Sequence, residues 1–313
     1  LEFNWIVSAV LLNMIVSFAI IYALSKKYVK VSLKFDFTYW KIFLKKSMPM
    51  GVAAIVAFVY FKMDTILLSI MKGSSEVGIY NAAYKVLENI TFFPAMIAGL
   101  VMPIMAHNIF KDKKRFTEVS NKTFKVFFIL IVPLLIGTLF LADGIIALIG
   151  GAGFVEAGQV LRVLVFALAL IFFGQFFNTI LIVGNLQKKL MWILSFAALI
   201  NVCLNFILIP KFSYMGSAYV SVITEFVVVL LTAYMVVKKL NYVPLTEGFL
   251  RIIGAGALMA TFLFFFKELN FFVLALASAI LYFIFLWLFK AIEKSEITSI
   301  ISKKEIQEYE EIP

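Results

Sequence analysis

The sequence is short of the residues from which metal sites, disulfides and soluble surfaces are built. It has one cysteine and one histidine in 313 residues, so it cannot form an internal disulfide or a histidine cluster around a metal. Charged residues make up 15% of the chain, whereas about 25% is usual for a soluble domain. With 7 prolines and 16 glycines, a collagen-like fibre and a Pro/Gly-rich disordered chain are also excluded.

Apolar residues are abundant instead. They form 63% of the chain, against roughly 45–50% in a typical soluble domain, and the mean hydropathy is +1.03. A soluble globule has too little interior to bury that much apolar surface. The composition therefore predicts that lipid surrounds most of the chain.

Nine apolar segments are long enough to cross a membrane as helices. A membrane-spanning helix needs about 20 mostly apolar residues, and none of these segments shows the sustained alternation of a membrane β-strand. The sequence therefore predicts an all-α, polytopic transmembrane helical bundle of about nine spans. The predicted spans are 5–24, 47–71, 79–106, 123–150, 158–184, 189–209, 215–237, 249–267 and 271–290.

The lysines and arginines indicate how these spans are oriented. Of the 28 basic residues, 22 fall on one side of the predicted membrane, three on the other and three within spans. Because Lys/Arg-rich loops face the cytoplasm, we expect a multi-pass plasma-membrane protein whose chain begins outside and ends in the cytoplasm. The net charge of +10 then needs no nucleic-acid partner, since no loop is long enough for a folded basic domain.

Charged residues inside the spans mark the candidate site. An ionisable side chain in mid-bilayer costs about 2.5–3.5 kcal/mol, so it normally faces a bundle interior or a watery cavity. Most of these residues lie at comparable depth in the outer half, which suggests one shared polar cavity. For Lys85, Arg162 and Asp143, which lie near helix ends, snorkelling to the interface is the alternative. The predicted cavity residues are Lys62, Asp64, Lys85, Glu88, Arg162 and Glu225.

Helical geometry and amide side chains refine this picture. Lys62 and Asp64 are separated by about 200° around a helix, so we do not expect them to pair with each other. Amides within spans either link helices in lipid or bind sugar hydroxyls, and both roles stay open for Gln175, Asn178, Asn201 and Asn205. Interruptions of several spans, as in transporters with broken helices, are expected at Pro94, Gly99, Pro103, Pro133, Gly137 and Gly174.

The sequence offers no constellation for catalysis. The outer loops are short and hold no closely spaced acidic pair, His107 lies at a helix end, and Cys203 lies in an apolar span. No glycine-rich nucleotide-binding loop is present. We therefore expect no enzymatic activity, no cofactor and no metal, which leaves movement of a molecule across the membrane as the remaining function class.

Two stretches of the sequence resemble a known family. The first comprises residues 60–68, YFKMDTILL, and 77–88, VGIYNAAYKVLE. The second comprises 205–210, NFILIP, and 214–219, YMGSAY, ending at Thr224-Glu225. They are similar to segments of the prokaryotic polysaccharide-biosynthesis and O-antigen flippases, the Wzx-like branch of the MOP superfamily, which also holds the MATE multidrug exporters.

The resemblance implies the domain organisation. Members of the family resemble fourteen-helix proteins with two six-helix lobes, a final hairpin and both ends cytoplasmic, and this chain is similar to the C-terminal portion. Residues 1–24 would be the last helix of a missing N-terminal lobe and 25–46 a basic cytoplasmic linker. The C-terminal lobe would comprise 47–237, the terminal hairpin 249–290 and the cytoplasmic tail 291–313, either an amphipathic helix or a solvated segment.

The resemblance also implies the substrate. It is a polyprenyl-pyrophosphate-linked oligosaccharide, moved from the cytoplasmic to the outer leaflet among membrane lipids and in contact with glycan-assembly proteins. Lys62, Lys85 and Arg162 would attract the pyrophosphate, and Asp64 or Glu225 would balance those cations or carry a coupling proton.

Two alternative functions stay open. One is a MATE-like multidrug or cation antiporter, against which the intramembrane cations count. The other is a non-transporting membrane enzyme or scaffold of glycan assembly.

Overall fold

The protein is helical throughout the part that the structure describes. The computed structural model describes residues 3–26, 36–245 and 248–291, and the elements in these ranges are ten α-helices and one short 3-10 turn at Ala152–Phe154. The predicted all-α class is therefore confirmed. The helices are α1 (Phe3–Ser25), α2 (Phe37–Met71), α3 (Ser74–Ile90), α4 (Phe92–Asn108), α5 (Lys113–Gly150), α6 (Ala157–Val183), α7 (Gln187–Phe212), α8 (Tyr214–Leu240), α9 (Phe249–Phe265) and α10 (Phe271–Leu288).

The helices match a multi-pass membrane protein. Within the described residues, seven helical segments are long and apolar enough to cross a membrane, and α9 is a shorter apolar helix. The seven are α1 from Val7 onward, the consecutive α3 and α4 taken together, α5, α6, α7, α8 and α10. Each of the nine predicted segments coincides with one of the helices or, over 79–106, with the pair α3 and α4.

The span predicted as one helix over 79–106 is divided at Thr91. Helix α3 ends at Ile90 and α4 begins at Phe92. Pro94 explains the division, because it has no N–H to donate to the carbonyl of Ile90, and its ring crowds that carbonyl. The other expected interruptions do not occur: Pro103 lies inside α4, Pro133 lies inside α5, and Gly99, Gly137 and Gly174 lie within continuous helices. Packing around a long membrane helix tolerates one lost hydrogen bond, so the prediction of several broken spans is wrong.

Helix α2 begins earlier than the sequence predicts. It starts at Phe37 rather than at 47, because the carboxylate of Asp36 accepts the backbone N–H groups of Thr38 and Tyr39, both at 3.0 Å, as an N-cap does. Part of the predicted linker is therefore helical. Residues 27–35 of that linker and the predicted tail from 292 onward lie outside the described residues.

The chain divides into two compact units, 1–48 and 49–313. In the second unit α6 is central: it packs against α3, α4, α5 and α8, and more than half of its 27 residues are buried. A helix that is apolar on all sides is expected in such a position. Helices α9 and α10 pair with each other and pack on α5, where the Tyr282 hydroxyl donates to the Ile129 carbonyl at 2.8 Å.

The connection between α8 and α9 is held on α5. The Tyr242 hydroxyl donates to Asn121 Oδ1 at 2.8 Å, and the backbone N–H of Leu245 donates to the same oxygen at 3.2 Å. The Tyr242 ring packs edge-on against Phe116. Burial raises the pKa of the Tyr242 hydroxyl above its ordinary value, so this group remains a hydrogen-bond donor.

Gly216 determines how closely α8 returns along α7. The chain reverses at Ser213, which has a left-handed φ of 49°. A Cβ at Gly216 would lie 2.6 Å from the carbonyl oxygen of Leu208, and backbone cannot move aside as a flexible side chain can. Only glycine therefore permits this approach, which brings the polar residues of α7 and α8 against each other.

Candidate functional site

A buried carboxylate joins four helices of the second unit. Asp64 on α2 is only 3% exposed. Its Oδ1 atom accepts from the Nδ2 atoms of Asn201 and Asn205 on α7, at 3.0 and 2.6 Å. Its Oδ2 atom accepts from the hydroxyls of Tyr80 on α3 and Ser221 on α8, at 3.1 and 2.6 Å. All four donors are uncharged, so they satisfy the lone pairs of the carboxylate without neutralising its charge.

The donors around Asp64 also contact one another. Asn205 Nδ2 lies 3.0 Å from the Asn201 carbonyl and 3.1 Å from Asn201 Oδ1. The hydroxyls of Tyr80 and Ser221 are 3.2 Å apart. The two asparagines are fully buried, so the structure places them in helix–helix contacts, one of the two roles left open for them. The network links α2 to α7 and α8.

Sequence reasoning missed Tyr80 and Ser221. Both lie in apolar helices, where a tyrosine or a serine usually packs in the core. Their spacing from predicted site residues could have indicated them. Tyr80 is one turn from Tyr84 and two turns from Glu88, and Ser221 is one turn from Glu225. Residues four apart share a helix face, so each missed hydroxyl lies on the same face as a predicted site residue.

Lys62, Lys85 and Glu88 form a second cluster, called here the lysine–glutamate triad. Lys62 Nζ donates to Glu88 Oε1 and Lys85 Nζ donates to Glu88 Oε2, both at 2.9 Å. The side chains are 40%, 65% and 37% exposed for Lys62, Lys85 and Glu88. The Lys62 ammonium also lies 5.7 Å from the centroid of the Tyr84 ring. Two cations thus share one anion, and the triad keeps a net positive charge on an accessible surface.

Glu225 lies beside the Asp64 network. It is 5% exposed, and it lines a small pocket together with Asp64, Tyr84, Leu87, Ala167, Ile171 and Ser221. The Tyr84 ring stacks on Tyr80 at 5.6 Å between centroids. The rings of Tyr80 and Tyr84 therefore lie between the buried carboxylate of Asp64 and the ammonium of Lys62.

Arg162 is placed apart from the lysines with which it was grouped. Its Nη1 and Nη2 atoms donate to the two carboxylate oxygens of Asp143 at 2.9 and 2.6 Å, and its Nε atom donates to the Leu139 carbonyl at 3.1 Å. Gly158 leaves room for this pair, since a Cβ there would collide with the Asp143 carboxylate. The bidentate pair joins α5 to α6.

The structure does not bring all the predicted residues into one shared cavity. Asp64 and Glu225 line one pocket, the lysine–glutamate triad is a neighbouring cluster, and Arg162 pairs with Asp143. These groups lie apart because equal depth along a helix does not fix the direction in which a side chain points around the bundle, and the shared cavity stays a prediction. Gln175 and Asn178 are half-buried on α6, and Asn178 Oδ1 accepts no hydrogen bond from the described residues.

Metal-ligating residues are not gathered within the described ranges. There, no group of three or more His, Cys, Asp or Glu side chains is arranged to hold a metal ion. The polar groups of the site are instead one buried carboxylate with neutral donors, a second buried carboxylate, and exposed ammonium groups. This set suits the binding of charged groups.

Comparison with known proteins supports the resemblance inferred from the sequence. Residues 4–109 match the family model described as polysaccharide biosynthesis protein. The chain is 29% identical over 238 residues to the capsular polysaccharide biosynthesis protein CapF of Staphylococcus aureus, covering 73% of this chain and 59% of CapF. The chain therefore spans well under two thirds of that relative's length.

Solved structures of membrane proteins share the fold. The lipid II flippase MurJ, in an inward closed conformation, superposes with a TM-score of 0.66 at 18% identity, over 88% of this chain and 59% of MurJ. A MATE transporter in the bent conformation superposes with a TM-score of 0.56 at 22% identity, over 70% of this chain and 52% of the transporter. The family model and CapF support the resemblance to polysaccharide-biosynthesis proteins, and the two structures show that the chain shares its fold with a lipid II flippase and a MATE protein.

Proposed function

We propose that this chain, which resembles the polysaccharide-biosynthesis flippases and has the fold of a MOP-superfamily transporter, is part of a lipid-linked oligosaccharide flippase. The substrate in this proposal is a polyprenyl-pyrophosphate-linked oligosaccharide, moved from the cytoplasmic to the outer leaflet for surface polysaccharide synthesis. The family match over residues 4–109 and the likeness to CapF support the pathway class. The likeness to MurJ supports a transporter fold.

The lysine–glutamate triad is the observation that carries this proposal. A pyrophosphate is a compact anion with many oxygen acceptors, and ammonium groups bind such oxygens through charge-assisted hydrogen bonds. Lys62 and Lys85 are accessible and already converge on the two oxygens of one carboxylate. An incoming pyrophosphate would take the place of Glu88 and satisfy both ammonium groups. The charge of Arg162 is compensated by Asp143, so the two lysines are the proposed pyrophosphate contacts.

Asp64 is the proposed coupling group. Its carboxylate is buried and is held by four neutral donors, so binding or release of a proton changes the charge at the junction of α2, α3, α7 and α8. In this proposal the change of charge would be coupled to alternating access. Glu225 lines the same pocket and is the second candidate for this role.

A flipping assay on the protein expressed from its full reading frame tests the pyrophosphate contacts. Proteoliposomes containing a fluorescent polyprenyl-pyrophosphate glycan report translocation when a membrane-impermeant quencher is added. The double variant Lys62→Gln/Lys85→Gln should lose at least tenfold in rate. The matched control Lys113→Gln/Lys114→Gln removes the same charge from exposed positions at the start of α5 and should retain activity. Full flipping by the first variant would refute the role of the triad.

A MATE-like antiporter of cationic compounds is the second candidate. It is favoured by the pocket in which Asp64 and Glu225 both take part, because paired carboxylates attract cationic substrates. Overexpression would then confer resistance to cationic dyes, and Asp64→Asn/Glu225→Gln would abolish that resistance. If deletion of the gene removes surface polysaccharide without changing dye resistance, the result would support the flippase and contradict the antiporter.

A further inference from the structure

Four lysines lie together at one end of the α7–α8 pair. Lys188 and Lys189 are in the first turn of α7, and Lys238 and Lys239 are in the last turn of α8. The two helices run antiparallel from the reversal at Ser213, so these turns are neighbours, as the close approach of Gly184 to Leu240 beside them shows. These four residues are called the α7–α8 lysine cluster.

The cluster holds like charges without a carboxylate partner among the described residues. The ion pairs of that part of the chain lie elsewhere, in the triad, around Glu118, and between Arg162 and Asp143. Lys238 Nζ donates to the Tyr234 hydroxyl at 2.9 Å, and the other three lysines lie in the same adjoining turns of α7 and α8. Ammonium groups gathered at one end of a helix pair repel each other, so an anion among them would stabilise the arrangement.

Aromatic residues lie one turn from these lysines. Trp192 follows Lys188 by four residues and is 70% exposed, and Tyr234 precedes Lys238 by four residues and is 55% exposed. Tryptophan and tyrosine concentrate at the level of lipid headgroups. The cluster therefore lies at headgroup depth, on the face that the charge distribution predicts to be cytoplasmic, where anionic lipids are found.

We propose that the α7–α8 lysine cluster is a binding site for the phosphate of an anionic phospholipid headgroup. The phosphate would lie between the ammonium groups of Lys189 and Lys239, which come from different helices. The acyl chains would extend along the exposed apolar faces of α7 and α8 next to Trp192. Binding would bridge the two helices that carry three of the four donors to Asp64.

Quenching of Trp192 by brominated lipids tests the site. Replacing Trp5, Trp40 and Trp287 with phenylalanine leaves Trp192 as the one tryptophan of these 313 residues. In phosphatidylcholine vesicles, dibrominated phosphatidylglycerol should reach half-maximal quenching at a several-fold lower mole fraction than dibrominated phosphatidylcholine.

Matched variants distinguish a specific binding site from general electrostatic attraction between the protein and anionic lipids. Lys189→Gln/Lys239→Gln should abolish the preference for phosphatidylglycerol, and Lys189→Arg/Lys239→Arg should keep it. Lys113→Gln/Lys114→Gln, which removes the same charge elsewhere, should leave the preference unchanged. Equal quenching by the two brominated lipids, or an equal effect of the control pair, would overturn the proposal. Displacement of the brominated phosphatidylglycerol by millimolar inorganic pyrophosphate would also overturn it, because it would indicate a site for soluble phosphates.

Discussion

Removing the Ser221 hydroxyl measures how strongly the buried network holds Asp64. Ser221 Oγ donates to Asp64 Oδ2 at 2.6 Å, and both residues are buried. A hydrogen bond to a charged group contributes about 1.5–3 kcal/mol to stability. We therefore expect Ser221→Ala to lower the free energy of unfolding by about 1.5–3 kcal/mol.

Ser217, one turn earlier on α8, is the matched control. Its hydroxyl is also buried, and it has no hydrogen-bond partner among the described residues. Ser217→Ala removes the same atom from the same helix without breaking a bond to Asp64. Replacing an unpartnered buried hydroxyl with an apolar group is neutral or stabilising, so we expect no loss of stability.

A double-mutant cycle isolates the contact itself. In an Asp64→Asn background the bond to Ser221 joins neutral groups, which contribute about 0.5–1.5 kcal/mol. The coupling between the two substitutions should therefore be about 1 kcal/mol. Unfolding in mixed micelles of rising denaturing-detergent fraction, followed by tryptophan fluorescence, gives each free energy. Equal effects of Ser221→Ala and Ser217→Ala, or a coupling of zero, would refute the network as described.

Three further substitutions, one of them with a matched control, test how the helices pack. Gly216→Ala should cost about 1–3 kcal/mol, because its Cβ would meet the backbone of α7, whereas Gly99→Ala, with open space around it, should be neutral or stabilising in the same unfolding assay. Tyr282→Phe should cost about 1 kcal/mol by leaving a buried carbonyl of α5 without its donor, and a melting temperature equal to the parent's would contradict this. Arg162→Lys should lower thermal stability by breaking the bidentate pair with Asp143, and a variant as stable as the parent would show that a single ammonium suffices.

The positions of the helices follow from the sequence because lipid demands long apolar runs. The spacing of Lys62 and Asp64 likewise predicts that they point to different sides of α2. In the structure Lys62 binds Glu88, whereas Asp64 binds residues of α3, α7 and α8. Local geometry therefore decides which side chains cannot pair.

The identity of the partners could not be predicted in this way. The donors of Asp64 on α7 and α8 are 137 to 157 residues away in sequence, and only the packing of α2 against those helices brings them close. Arg162 shows the same limit: its partner is set by the antiparallel return of α6 along α5, which its depth in the membrane does not reveal. The helix break at Thr91 depends on Pro94 alone, and Pro103 and Pro133 show that a proline does not always end a membrane helix.

The long separation between Asp64 and its donors has a consequence for biosynthesis. Helix α2 leaves the ribosome well before Asn201, the first of the α7 donors, which follows 137 residues later. At roughly 5–20 residues per second, that interval is about 7–30 s. During this time a carboxylate facing lipid costs about 2.5–3.5 kcal/mol, so the nascent helix must keep Asp64 protonated or remain beside the translocon until α7 and α8 arrive. Insertion of α2 is therefore expected to be completed late, after α7 and α8 have brought the donors of Asp64 into place.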